Sequence, residues 1–154
     1  MKNHLDGIVV EGERVGIFLL GMSEEALLES LVQPYESEKR HGCTVYLTRY
    51  MSFFVDEQTK KVNQICMFKG FKGFKGFKGF KGKFLTQYGI GSDLLEVDPN
   101  PENWHVDWEA CCYESVKYKG IIFGLEDDAI MNEVETNKNF PIGWICIAPP
   151  SKYE

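Results

Sequence analysis

The stretch ENWHVDWEACC, residues 102–112, carries the densest chemistry in the sequence. Written as a strand, it puts His105, Asp107 and Glu109 on one face and Trp104, Val106 and Trp108 on the other, because side chains alternate with period two. An imidazole between two carboxylates could hold a metal ion or pass protons. One strand supplies only a row of such groups, and the sequence shows no second element to complete a site. The row therefore reads as the polar outer face of a strand whose two Trp look into a core, and neither metal nor cofactor is expected. A second stretch, LEDDAIMNEVE, gathers Glu126, Asp127 and Asp128 into an acidic loop or hairpin tip of the kind water solvates. No Gly-x-Ser-x-Gly elbow, P-loop or Gly-x-Gly-x-x-Gly occurs, so an enzyme is not expected.

A third stretch is stranger. From Phe68 to Gly82 the tripeptide Phe-Lys-Gly occurs five times in succession. A Gly at every third position would cost a helix about 1 kcal/mol each relative to Ala. As a strand the run has the wrong period: Phe68, Phe74 and Phe80 would face one way, Phe71 and Phe77 the other. One reading is a connection lengthened by duplication, since doubling a flexible loop costs only about 0.6 kcal/mol. Another is a cationic, aromatic arm that stacks on single-stranded bases or grips anionic lipid, since Phe offers a face and Lys a charge. A third is a β-ribbon that pairs with itself or with a second chain, its Phe side chains giving a route to self-association.

The charge around this run narrows the partners. Residues 1–67 carry 7 basic and 10 acidic side chains, residues 68–83 six Lys and no acid, and residues 84–154 4 basic and 13 acidic. Without the run, the net charge of −6 would be −12. So acidic a body repels phosphates, which argues against nucleic acid and for a basic protein partner. No stretch has the roughly 18 apolar residues of a membrane span, and the first residues lack the apolar stretch of a secretory signal. A cytoplasmic protein is expected, without membrane attachment. The five Cys include no Cys-x-x-Cys pair. Cys66 and Cys146 lie in apolar runs, where Cys packs as a small hydrophobe.

The elements that must position these groups form a single domain whose two halves echo each other. Ser23 and Ser92 each precede acids and an apolar-periodic stretch, as helix N-caps do. The first helix should run to about Val32 with Ala26, Leu27, Leu28 and Leu31 inward, closed by Pro34. The second should be short, ended by the prolines of DPNPEN. Strands are expected in CTVYLTRY, in MSFFVDEQTKKVNQICMF with DEQTKK as its hairpin turn, and in WEACCYESVKY, KGIIFGLEDD and IGWICIAPP. SFFVD echoes IIFGLED and NQICMF echoes GWICIA, which puts Ile65 and Ile145 at corresponding buried places. The expected fold is α+β: two tandem helix-plus-antiparallel-hairpin repeats, residues 8–68 and 84–150, forming one sheet with the helices on one face, joined by the Phe-Lys-Gly connection at 69–83.

A Gly-Met-Ser step into a short helix, followed by a hairpin of the SFFVDEQTKKVNQI type, resembles the repeat unit of the β-lactamase-inhibitor-protein family and of small outer-membrane assembly lipoproteins. The second half also resembles small bacterial immunity-type proteins. The resemblance implies a tandem scaffold whose sheet presents a concave surface to a partner protein. It transfers scaffold positions and no binding residue. Together with the charge, it leads to the expectation of a non-enzymatic immunity protein that neutralises a basic, nuclease-type toxin. The candidate partner-binding residues are Asp93, Glu96, Asp98, Asp107, Glu109, Glu126, Asp127 and Asp128, with Trp104 and Trp108 as aromatic anchors. The alternative is a module that sequesters an anionic nucleotide with Lys72, Lys75 and Lys78.

Overall fold

Strands dominate the chain because its apolar residues fall in short runs rich in β-branched and aromatic side chains. The computed structural model describes residues 8–32, 34–68, 83–85, 87–107, 112–125 and 141–149. Eight strands form one antiparallel sheet: β4 (Glu36–Arg40), β5 (Cys43–Leu47), β6 (Met51–Asp56), β7 (Val62–Phe68), β9 (Trp104–Asp107), β10 (Cys112–Ser115), β11 (Ile121–Leu125) and β12 (Ile142–Ile147). Their spatial order is β4-β5-β6-β7-β12-β11-β10-β9. A smaller mixed sheet has the order β3-β2-β1-β8, from β1 (Ile8–Val10), β2 (Arg14–Val15), β3 (Phe18–Leu19) and β8 (Lys83–Phe84).

This overturns the α+β expectation of two helix-plus-hairpin repeats. Helix α1 covers only Glu24–Ser30 and α2 only Leu94–Val97. Each half of the chain contributes four consecutive strands to the large sheet, where a hairpin was expected. The physical reason is visible in two segments. ESEKR, wholly polar and absent from the expected strands, is strand β4: it lies at a sheet edge, every residue is exposed, and charge there deters pairing with another chain. WHVD pairs with CYES as a further hairpin, β9 to β10, at the opposite edge.

Local signals in the expected hairpin are kept. Asp56 turns β6 into β7 by accepting the backbone N–H of Gln58 at 3.0 Å and of Thr59 at 2.8 Å. The Thr59 hydrogen bond, with that of Gln58, holds the Asp56 carboxyl below its ordinary range against the opposing effect of burial. Ser23 caps α1, accepting from the Ala26 N–H at 3.1 Å. The second cap is Asp93, not Ser92: its carboxylate accepts from the Leu95 N–H at 3.0 Å. Ser92 instead accepts from the Gly89 N–H.

The two halves meet where β7 runs beside β12, with Cys66 opposite Cys146. The structure joins these two in a disulfide, so the expectation that they pack as free thiols is corrected. Ile65 and Ile145, each one residue before its Cys, are fully buried. They belong to the main core with Phe53, Met67, Ile121, Phe123 and Ile147, all on one face of the large sheet. Leu27 of α1, Leu94 of α2 and Val9, Val15, Phe18 and Phe84 of the small sheet cover that face. Gly120 lets the small sheet approach closely. The Gly12 N–H donates to its carbonyl at 3.0 Å, and a Cβ on Gly120 would meet the Gly12 backbone. Among the described residues no helix is long and apolar enough to cross a membrane.

Candidate functional site

Among the described residues, the acidic candidates singled out in the sequence do not gather into one patch. Asp93 is a half-exposed helix cap and Glu96 stands exposed on α2. Asp107 is exposed at the end of β9, opposite Cys112. Asp98 is only 3% exposed, and its carboxylate is consumed internally. It accepts the Ser115 hydroxyl at 2.7 Å, the Asn103 side-chain amide at 3.2 and 3.1 Å, and the Asn100 N–H at 3.2 Å. Burial pushes the Asp98 carboxyl up, but these hydrogen bonds and the Lys117 charge outweigh it and leave the group below its ordinary range. Trp104 is buried too: its indole N–H donates to the Asp98 carbonyl at 3.0 Å, and its ring packs edge-on against Phe123. Asp98 and Trp104 are thus brought together as structure, unavailable to a partner. Trp108, Glu109, Glu126, Asp127, Asp128, Lys72, Lys75 and Lys78 lie outside the described residues.

What the sequence did not single out is the second face of the large sheet. Strand alternation sends Val45, Phe54, Gln64, Cys66, Phe68, Trp144, Cys146, Ile122, Cys112 and Glu114 away from the main core. No described element covers them. Val45 is nonetheless fully buried; the Arg40 guanidinium stacks 5.6 Å from the neighbouring Phe54 ring and pairs with Glu38. Near the centre of this face, Gln64, Cys66, Phe68, Cys112, Ile122, Trp144 and Cys146 line an open groove of about 380 Å³. The Gln64 amide donates to Cys146 Sγ at 2.9 Å.

Gly124 shapes that groove. It pairs directly with Trp144, and a Cβ at this position would overlap the indole. The missing side chain lets the ring lie down on the β11 backbone, so that an aromatic wall and a disulfide bound the same space.

One carboxylate stands at the groove's edge. Glu114 lies opposite His105 and two residues along β10 from Cys112. Its Oε2 is buried and receives no hydrogen bond. Burial pushes the Glu114 carboxyl above its ordinary range, with His105 and Lys119 opposing this. A shielded acceptor without a donor costs stability on the order of 1–3 kcal/mol. The signal for this face was present as period-two pairs, Trp144 with Cys146 and Cys66 with Phe68. The strands are apolar on both faces, however, and such a pattern does not say which face is left uncovered.

No family model matches the chain, and no curated protein matches it. One solved structure with a similar fold is that of the uncharacterized protein yfeY from Escherichia coli, at 13% sequence identity and a TM-score of 0.55, covering 90% of this chain and 95% of that one. This likeness is one of fold and carries no link to the inhibitor or assembly-lipoprotein units.

Proposed function

We propose that this protein is a non-enzymatic inhibitor that binds a basic partner protein, with the face of the eight-stranded sheet that no described element covers as its docking surface. The observation that carries the reading is the open apolar groove on that face, bounded by Trp144 and Phe68. Half-exposed aromatics in a groove are what protein interfaces use as anchors. Charge supplies the sign of the partner. Glu36, Asp107 and Glu114 stand on this face by register, while Arg40, the guanidinium among the described residues there, is offset by its pairing with Glu38. Asp93 and Glu96 add to the acidic field that would steer a basic protein in.

The partner we favour is a basic toxin domain, as for an immunity protein. The Cys66–Cys146 disulfide bears on where they meet. A nuclease toxin acts in the cytoplasm, where glutathione keeps thiols reduced. The bond therefore favours an oxidising compartment over the cytoplasm expected from the sequence, and a basic toxin met there.

The test is biolayer interferometry of the immobilised protein against basic toxin domains encoded beside its gene, with an acidic protein of equal size as control, across a salt series. Association with the basic protein should slow at least tenfold between low and high salt while dissociation changes little. No binding, or equal binding of the acidic control, overturns the proposal.

A further inference from the structure

The groove and Glu114 are spaced along one strand, and that spacing specifies more than a basic partner. Cys112 lines the groove and Glu114 follows two residues later on the same face of β10. Residues two apart on a strand are separated by about 6.6 Å. An extended peptide laid along β10 has the same repeat, so its residue i can fill the groove while residue i+2 reaches the carboxylate. The groove wall is the Trp144 indole lying on Gly124, a surface that favours stacking by an aromatic ring. Glu114 keeps partial exposure while its shielded Oε2 lacks a donor, so a guanidinium or ammonium brought in by the peptide would add a charge-assisted hydrogen bond to a carboxylate that is short of partners. Acidic neighbours on the face, Glu36 and Asp107, match the positive charge of such a segment.

We infer that the groove and Glu114 form a two-point receptor for an extended basic segment carrying an aromatic residue and, two positions on, an Arg or Lys. This rests on the docking face proposed above and names the part of the partner that enters it. It differs from an apolar small-molecule pocket, for which Glu114 would be a liability, and from a purely electrostatic surface, for which Trp144 would be indifferent.

The experiment uses the full chain labelled with 5-fluorotryptophan, its Trp144 fluorine resonance assigned by comparison with Trp144→Phe. The probe is the capped pentapeptide Ser-Phe-Ser-Arg-Ser, with controls in which Phe is replaced by Ser or Arg by Gln. The Phe/Arg peptide should shift the Trp144 resonance saturably at millimolar concentration or below. Glu114→Gln should weaken it about tenfold, the loss of one charge-assisted hydrogen bond, and should leave the Phe/Gln peptide unchanged. Gly124→Ala, whose new methyl displaces the indole, should abolish the shift even where Glu114 is intact. A Trp144 resonance unmoved by the Phe/Arg peptide overturns the receptor. So does equal affinity of wild type and Glu114→Gln for that peptide. If the peptide fails while a basic toxin domain still binds, the docking face stands and only the two-point receptor falls. If both fail, the docking face falls too.

Discussion

Removing the Cys66–Cys146 cross-link should produce the largest stability loss of any two-residue change far from the main core. The two residues are 80 apart in sequence, so the bond closes about half of the chain into one loop in the unfolded state. In the chain-entropy account, a 15-residue loop is worth about 3 kcal/mol and a 100-residue loop about 4.7 kcal/mol. The present loop falls close to the upper figure, at roughly 4.5 kcal/mol. Two effects modify it. Cys146 is buried, so its truncation loses packing, whereas Cys66 keeps partial exposure and loses little. Denatured-state structure works the other way, because it reduces the entropy a cross-link can remove. For a chain of this length, 1 kcal/mol corresponds to about 2–4 °C in Tm, so a drop of about 9–18 °C is expected. The perturbation is Cys66→Ala/Cys146→Ala, which avoids reshuffling during unfolding, and the assay is urea unfolding followed by circular dichroism. The m-value should rise as well, since an uncross-linked chain exposes more surface on unfolding. A loss below about 1 kcal/mol with an unchanged m-value would refute the reasoning. Mass spectrometry that finds two thiols at these positions in air-folded wild type would refute it at the root.

Two further perturbations separate structure from binding. Asp98→Ala strands the Ser115 hydroxyl and the Asn103 amide and should cost about 3 kcal/mol. Because the folded Asp98 carboxyl lies below its ordinary 3.8, its contribution is complete above that value and is lost as pH falls through the lower folded value; Asp98→Asn should flatten this acid limb in pH-dependent unfolding. Glu114 has the opposite sign: its folded carboxyl lies above the ordinary 4.5, so the protein loses stability as pH rises past that value. Glu114→Gln should be more stable than wild type at pH 7, by about 1 kcal/mol for a partly exposed side chain, and indistinguishable at pH 4. Equal stability at both pH values would remove the idea that this carboxylate is strained by burial.

Much of the strand pattern was legible in the sequence. MSFFVD, VNQICMF, IIFGL and IGWICI are short runs rich in apolar and β-branched residues bounded by turn residues and so can be found, and the Asp56 turn and Ser23 cap declare themselves. The architecture was not, for three physical reasons. Edge strand β4 has no apolar face to show. Strands β2 and β3 are two residues each, shorter than any periodicity can report. The helices are too short to carry the helical half of an α+β fold. Asp98 looked like surface because its chief partner, Ser115, lies 17 residues away and is brought to it by the β9–β10 hairpin. The groove was hidden by strands that are apolar on both sides, and Glu114 carried no local mark. The Cys66–Cys146 bond needed β7 and β12 to be neighbours, a pairing that spans about half of the chain.

The central claim is that the groove-bearing sheet face, and not the acidic surface at large, makes the contact. It is tested most directly by comparing two double variants in the same binding assay against a basic toxin domain. Trp144→Ser/Glu114→Gln changes the groove and its edge, while Asp93→Asn/Glu96→Gln changes only exposed charge around α2. Loss of an anchoring aromatic together with a charge contact should speed dissociation at least a hundredfold. Loss of remote charge should slow association a few-fold and leave dissociation as it was. The account predicts that division. Unchanged dissociation in the groove variant, with binding lost in the α2 variant, would contradict it.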